Sequence, residues 1–291
     1  MLKTKHNQTL IWYSFLLPTI LALAFFMAYP ILEALRLSFF KSNGTIENFV
    51  GLRNYKIILT NKTFWNAVYT TIYLSFFKLL ISIPLGFVIA YCINELSSFF
   101  QTLFKIVYFI PYVTSVVAAG MIFIFVLHPE EGLLNSFIGI FGFEPIQYLA
   151  HARSARWGTI LLMVWHWLGF VIIIFIANLQ TISKDIYEAA LIDGAKKIHT
   201  FFYITVPLMR NSFIFLLILG TIEGLKTFTE PYILGRGNGS PGGALTTMTA
   251  YIYNRGFMGN EFGVASAAAY VQFALIFIIT FINIKSSKMK L

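Results

Sequence analysis

Apolar residues run through this chain in long blocks separated by short polar stretches. Six blocks reach the roughly 20 residues that a helix needs to cross a hydrocarbon layer of about 30 Å. They cover residues 10–32, 65–93, 106–128, 157–178, 212–234 and 262–284. Lipid offers no partner to a backbone amide or carbonyl, so each block is predicted to be a helix that satisfies its own backbone. The expected fold class is an all-α integral membrane protein with six transmembrane helices, forming one domain over residues 1–291. The first block follows Lys3 and Lys5 and contains Ala22-Leu23-Ala24, as a secretory signal would. Its apolar run continues to Tyr29-Pro30 and five more blocks follow, which favours an uncleaved first helix over a removed leader.

Composition agrees with the pattern. Of the 291 residues 58% are hydrophobic and only 11% charged, where a soluble domain carries roughly 25% charged residues. The net charge of +9 raises nucleic acid as a partner. The basic residues are scattered between apolar runs, however, without an arginine-rich stripe or stacking platform, so they read as flanking charges that orient helices. With the N-terminus inside, ten Lys and Arg fall in the inner segments and nine in the outer loops. The inner segments are shorter and denser in charge, which points weakly to cytoplasmic termini. Cys92 is the one cysteine, so no disulfide framework or cysteine-based metal site forms within the chain.

Enzyme motifs are missing. Gly237, Gly239 and Gly242 have dinucleotide-fingerprint spacing, but they follow a membrane block and enclose Pro241. The stretch 235–247 therefore reads as a flexible outer turn. No P-loop, HExxH, GxSxG or SxxK occurs, so no catalytic site, ATP site or metal site is expected.

One inner segment departs from the greasy background: EAALIDGAKKIHTFFYITVP, residues 188–207. Ser183 or Asp185 is placed to cap a helix start, with Glu188 in capping-box spacing from Asp185. Gly194 is a natural stop, "KKIHTFFYI" a second short helix, and Pro207 suits the first turn of the next span. Ala189, Ala190 and Gly194 leave a surface nearly bare of side chains, with Glu188, Lys196 and Lys197 at its rim. Such a surface fits a knob that another body approaches closely. An amphipathic helix lying on lipid is the competing reading, but that needs bulky apolar side chains on the buried face.

This stretch resembles the EAA loop of binding-protein-dependent ABC importer permeases, whose pattern is EAA-x3-G-x9-I-x-L-P. Glu188-Ala189-Ala190, Gly194, Ile204 and Pro207 stand at that spacing, with Val206 in place of leucine. "WHWLGFVIIIFIANLQTISKDIYEAALIDGAKK" and "LLPTILALAFFMAYPILEALRLSF" are similar to carbohydrate-type permeases of the maltose-transporter kind. The resemblance covers nearly the whole chain. It implies a sugar-translocating permease in a bacterial cell membrane, with a second permease subunit, two ATP-binding subunits that use ATP and Mg, and an extracellular solute-binding protein. It also implies that Glu188, Ala189, Ala190, Asp193, Gly194, Ile204 and Pro207, within a loop over 183–210, couple the chain to the ATPase.

The fifth block carries "GTIEGLKTFTE". An intramembrane charge costs about 2.5–3.5 kcal/mol on insertion scales, so Glu223, Lys226 and Glu230 are expected to face the bundle interior or water. Gly220, Glu223, Gly224 and Thr227 fall on one face of a continuous helix. By resemblance that face lines the sugar path, with Leu168 and Gly169 beside it and His166 one turn away. Two plainer readings stay open: Glu223 and Lys226 neutralise one another at i, i+3, and Gly220 and Gly224 are helix-packing glycines. An ion- or proton-coupled secondary transporter with Glu223 as relay is the alternative function; it would show inverted repeats, and none is seen.

Overall fold

The computed structural model describes Tyr13 and Phe15–Ser286. Residues 1–12, Ser14 and 287–291, which include Lys3, Lys5 and the start of the first expected block, lie outside the described residues. Five helices among the described residues are long and apolar enough to cross a membrane, and a sixth crossing exists if one sharply bent pair is counted as a single span.

The chain divides into two compact units. The first comprises residues up to Asn61 together with Tyr251–Gln272. Its long helix α1 (Phe15–Ser38) has no buried residue in its most apolar window. A two-stranded antiparallel ribbon follows, β1 (Phe40–Ser42) against β2 (Glu47–Phe49), then α2 (Arg53–Thr60). The ribbon is the one β element in the described residues. Asn54, 3% exposed, donates from Nδ2 to the carbonyls of Ser38 and Phe40 at 2.9 and 2.8 Å. These bonds satisfy the backbone where α1 ends and the ribbon begins.

The second unit comprises Lys62–Ala250 and residues from Phe273 onward. It contains α3 (Lys62–Asn94), α4 (Ser98–Val113), α5 (Val116–Val126), α6 (Leu133–Ile140) and α7 (Ala152–Leu179). Next come α8 (Lys184–Ile192), α9 (Lys197–Thr200), α10 (Arg210–Leu225) and α11 (Thr229–Leu234). Helix α12 (Met248–Tyr253) and α13 (Phe262–Ser286) contribute residues to both units. The core of the second unit lies where α3, α7 and α10 meet, around Phe87, Trp167, Val171, Phe175 and Leu216. Pro84 sits inside α3 without ending it, as membrane helices tolerate.

Two expectations about continuous spans are corrected. The third block, expected as one helix over 106–128, begins at Ser98 and breaks into α4 and α5, which meet at 96°. Pro111 weakens the end of α4, and both Thr114 and Ser115 adopt extended backbone angles. The freed groups are met locally: the Thr114 hydroxyl donates to the Pro111 carbonyl at 2.7 Å, and Ser115 Oγ accepts from the Ala118 amide at 3.5 Å. The fifth block is also interrupted, at residues 226–228 between α10 and α11.

Candidate functional site

The polar segment that carries the EAA spacing forms a helical hairpin. Ser183 caps α8, accepting from the Asp185 amide at 3.3 Å and donating to Asp185 Oδ2 at 3.0 Å. The cap is thus Ser183 rather than Asp185, and the Asp185–Glu188 box does not form. At the other end Gly194 takes φ +77, a left-handed angle that favours glycine. The Ala195 amide then reaches the Ala190 carbonyl at 2.9 Å and closes the helix end.

Its return limb is anchored, and its tip is open. Phe201 packs between Phe87 and Tyr91, at ring centroids 5.3 and 4.8 Å, and Tyr187 Oη shares a hydrogen bond with Thr205 Oγ1 at 3.3 Å. A π-helical turn, Phe201–Thr205, carries half-buried Ile204 into the short turn Val206–Leu208, which holds Pro207. The helical backbone therefore continues through Pro207 instead of restarting there. Toward the tip, Glu188, Ala189, Asp193 and Gly194 are exposed, and Ala190 is buried. A hollow of about 570 Å³ is lined by Ala190, Asp193, Gly194, Ala195, His199 and Tyr203. Ile198 at its edge is 69% exposed, and on α8 Leu191 and Ile192 are bare as well, 74% and 85% exposed. Apolar surface gathered on a polar loop is the kind of patch with which a chain meets a partner or a membrane.

The expected substrate residues separate into two sets. Gly169, Gly220 and Gly224 are buried packing positions. A Cβ on Gly169 would fall onto the Tyr108 carbonyl, one on Gly220 onto Leu79 and Trp167, and one on Gly224 onto Ser75 Oγ. These glycines let α4 and α3 approach closely, as small residues do in membrane bundles. Leu168 is half-buried against the same core. Glu223, on the same turns of α10, is exposed instead. Thr227 has left the helix altogether. It lies in the break, and its Oγ1 donates to Glu230 Oε2 at 3.3 Å.

The other set gathers around the bend. His166 Nε2 lies 3.5 Å from the Thr114 carbonyl, which it reaches as a donor when that nitrogen carries the proton. The His166 ring centroid is 6.0 Å from that of Tyr112, and Tyr112 stacks on Phe170 at 5.1 Å. Helix α10, which carries Glu223, packs against the same part of α7: a Cβ on Gly220 would meet Trp167, whose ring centroid is 6.2 Å from that of Phe170. Two broken helices, an aromatic platform and a carboxylate thus share one region, and discontinuous helices are where membrane transporters build their sites. Glu223 and Lys226 form no ion pair among the described residues, so the expected i, i+3 neutralisation is absent.

The glycine-rich stretch 235–247, expected as a flexible outer turn, is instead held inside the second unit. Leu245, Thr247 and Met248 are fully buried. Asn66 Nδ2 donates to the Gly243 carbonyl at 2.8 Å, while Thr70 and Arg156 both donate to the Ala244 carbonyl at 3.2 Å. Thr247 Oγ1 donates to the Thr227 carbonyl at 2.9 Å and Thr249 Oγ1 to the Lys226 carbonyl at 3.2 Å. The last two bonds occupy carbonyls that the break in the fifth span sets free. Sequence reasoning missed Arg156 and Lys78. The signal for Lys78 was a lone charge inside the second apolar block, which is functional by default; for Arg156 there was none, because it stands at a block's edge.

Residues 82–286 match the family described as binding-protein-dependent transport system inner membrane component. The chain is 34% identical over 276 residues to the arabinooligosaccharides transport system permease protein AraP of Bacillus subtilis, covering 94% of this chain and 88% of that protein. It is 30% identical over 290 residues to the trehalose/maltose transport system permease protein MalF of Thermococcus litoralis, covering 99% and 97%. Among solved structures it resembles a chain of a bacterial alginate ABC transporter crystallised with an alginate pentasaccharide-bound periplasmic protein. The TM-score is 0.85 at 23% identity, with 98% and 96% of the two chains covered, and that likeness concerns the fold.

Proposed function

This chain belongs to the binding-protein-dependent transport system inner membrane component family, and from that premise we propose that it is the permease subunit of an ATP-driven carbohydrate importer, moving an oligosaccharide inward through the region of Tyr112, His166 and Glu223. One observation carries the coupling half of the reading: a capped, two-helix knob bearing the EAA spacing, anchored by Phe201, with an open hollow and the bare apolar side chains of Leu191, Ile192 and Ile198. The energy comes from two separate ATP-binding subunits that use ATP and Mg. Closure of those subunits moves the knob as a rigid body, and the anchored return limb passes the motion to α10. A second permease subunit and an extracellular solute-binding protein complete the transporter. Because the knob meets cytoplasmic ATPases, both termini are cytoplasmic.

The sugar class rests on relatives named for arabinooligosaccharide and trehalose/maltose transport, and on chemistry that suits such ligands. An aromatic ring offers an apolar face, while a carboxylate and an imidazole meet hydroxyl groups. The test is purification through a tag on this chain from its own membranes. Two ATP-binding subunits are expected to co-purify, with ATP hydrolysis absent from the isolated polypeptide. Ala189→Trp puts an indole on the exposed surface of the knob, outside the bilayer. It is expected to leave the amount of this chain in the membrane unchanged, remove the ATPase from the purified assembly and abolish uptake of labelled arabinobiose or maltose. Normal ATPase recovery with that variant would sink the coupling role.

A further inference from the structure

Helix α7 has 28 residues, about 42 Å of helix, and the knob follows its last turn. Short helix α6 sits at the other end, in the connection from α5 to α7. Neither the EAA motif nor the sugar-path residues account for it. Asn135, 5% exposed, pins its inner face. Nδ2 reaches the carbonyls of His128, Pro129 and Ile146 at 3.2, 2.8 and 2.9 Å, and Oδ1 accepts from the Ile146 amide at 3.0 Å. Half-buried Leu134 packs against the cluster of Leu127 and Ala155, where α5 closes and α7 opens.

The outer face carries the opposite chemistry. Leu133, Phe137 and Ile140 fall at i, i+4 and i+7 on one side of α6, and they are 72%, 58% and 78% exposed. Phe141 and Phe143, just beyond the helix, are equally bare. Residues 132–143 hold no charged side chain. The one hydroxyl among them, that of Ser136, donates to the Gly132 carbonyl at 3.1 Å and so is spent on the helix itself. A bare apolar surface of this kind meets either a protein or lipid.

Two observations favour lipid. A protein partner is met with hydrogen bonds and charge around an apolar centre, and this face offers neither. Bulky Leu, Ile and Phe side chains are what seats a helix at the boundary between headgroups and acyl chains. The second observation is depth. Tyr148, in the same connection, packs beside Gly158 of α7, and the adjacent Trp157 belongs to an aromatic band. Its ring centroid is 4.9 Å from that of Phe77 and 6.4 Å from that of Tyr73, with Tyr69 a further 5.7 Å along. Trp and Tyr collect at the headgroup level of membrane spans, so α6 is held where lipid begins. We propose that α6 is a membrane-anchoring helix. Its Leu133, Phe137 and Ile140 face sits in the lipid boundary at the end of the bundle away from the knob, and Asn135 ties the ends of α5 and α7 to that depth.

Spin labels on the assembled transporter test this, in vesicles of phosphatidylethanolamine and phosphatidylglycerol. Cys92 and the cysteines of the other subunits are first replaced by serine. Phe137→Cys and Ile140→Cys are then labelled separately, and either label decides alone. Glu131→Cys, at an exposed polar position outside α6, is the reference for water. At 137 and 140 the ratio of collisions with dissolved oxygen to collisions with a water-soluble nickel chelate is expected to exceed that at 131 at least threefold. Adding the solute-binding protein is expected to leave that ratio unchanged. Labels that meet the nickel chelate as residue 131 does would place the face in water and overturn the proposal. Shielding from both reagents would put another subunit on the face, and shielding only after the solute-binding protein is added would make it a docking site; either result also overturns the proposal.

Discussion

Two polar, glycine-bearing segments interrupt this apolar chain, and they are opposites. The knob at 184–208 keeps its small-residue surface open, and its tip is fastened to the rest of the chain by little. The stretch 235–247 looks looser in sequence but spends its polar groups internally, on Asn66, Thr70, Arg156 and the broken end of the fifth span. A polar segment in a membrane protein therefore serves either a partner or the chain's own backbone. Composition alone does not tell which. The deciding quantity is how many of its backbone groups find partners within the fold.

Perturbing each segment sharpens that contrast, and the largest effect belongs to the buried one. Gly239 takes φ +74, and a Cβ there would strike Thr246 Oγ1. Gly239→Val combines left-handed strain with overpacking and is expected to destabilise the second unit by about 2–5 kcal/mol, read as a lowered thermal midpoint of the detergent-purified complex. Thr247→Val comes next. It strands the Thr227 carbonyl in a buried site at a cost of about 1–3 kcal/mol, and it is expected to loosen the break enough to raise hydrogen exchange at residues 226–230. In the knob, Gly194→Ala meets nothing within 4 Å and bears only the left-handed angle, a cost of about 1–2 kcal/mol. Proteolysis near residue 194 should register it while the bundle's midpoint stays put. Smallest is Lys197→Ala. The 3.7 Å pair with Glu95 is almost wholly exposed at the lysine, so stability should change by no more than about 0.5 kcal/mol. A midpoint shift for Lys197→Ala comparable to that of Gly239→Val would dissolve the comparison.

How much of this was legible beforehand follows the same physics. Long apolar blocks announce helices because lipid leaves the backbone no other choice, so α3, α7 and α13 fall close to their expected limits. The knob was legible because Glu188, Ala189, Ala190 and Gly194 are spaced by its own local helix and turn. The breaks were not. Hydropathy averages over Thr114 and Thr227, and nothing in a window of neighbours reveals that His166 or Thr247, far along the chain, will take up the freed carbonyls. The division of the expected substrate residues was hidden for a related reason. Gly220 and Gly224 are small for the benefit of Leu79, Trp167 and Ser75, contacts that sequence spacing on one helix does not contain.

The bend between α4 and α5 bears on how the protein is made. Helix α5 has 11 residues, about 16 Å of helix, which is half a bilayer. While the chain is being synthesised, the membrane-insertion machinery meets residues 98–126 as one apolar run, before α7 exists. The carbonyl of Thr114 acquires its neighbour His166 only after α7 has entered the membrane. The bend thus has its local bonds, at Pro111, Thr114 and Ser115, from the time it is made, and gains its contact with α7 only later in biogenesis.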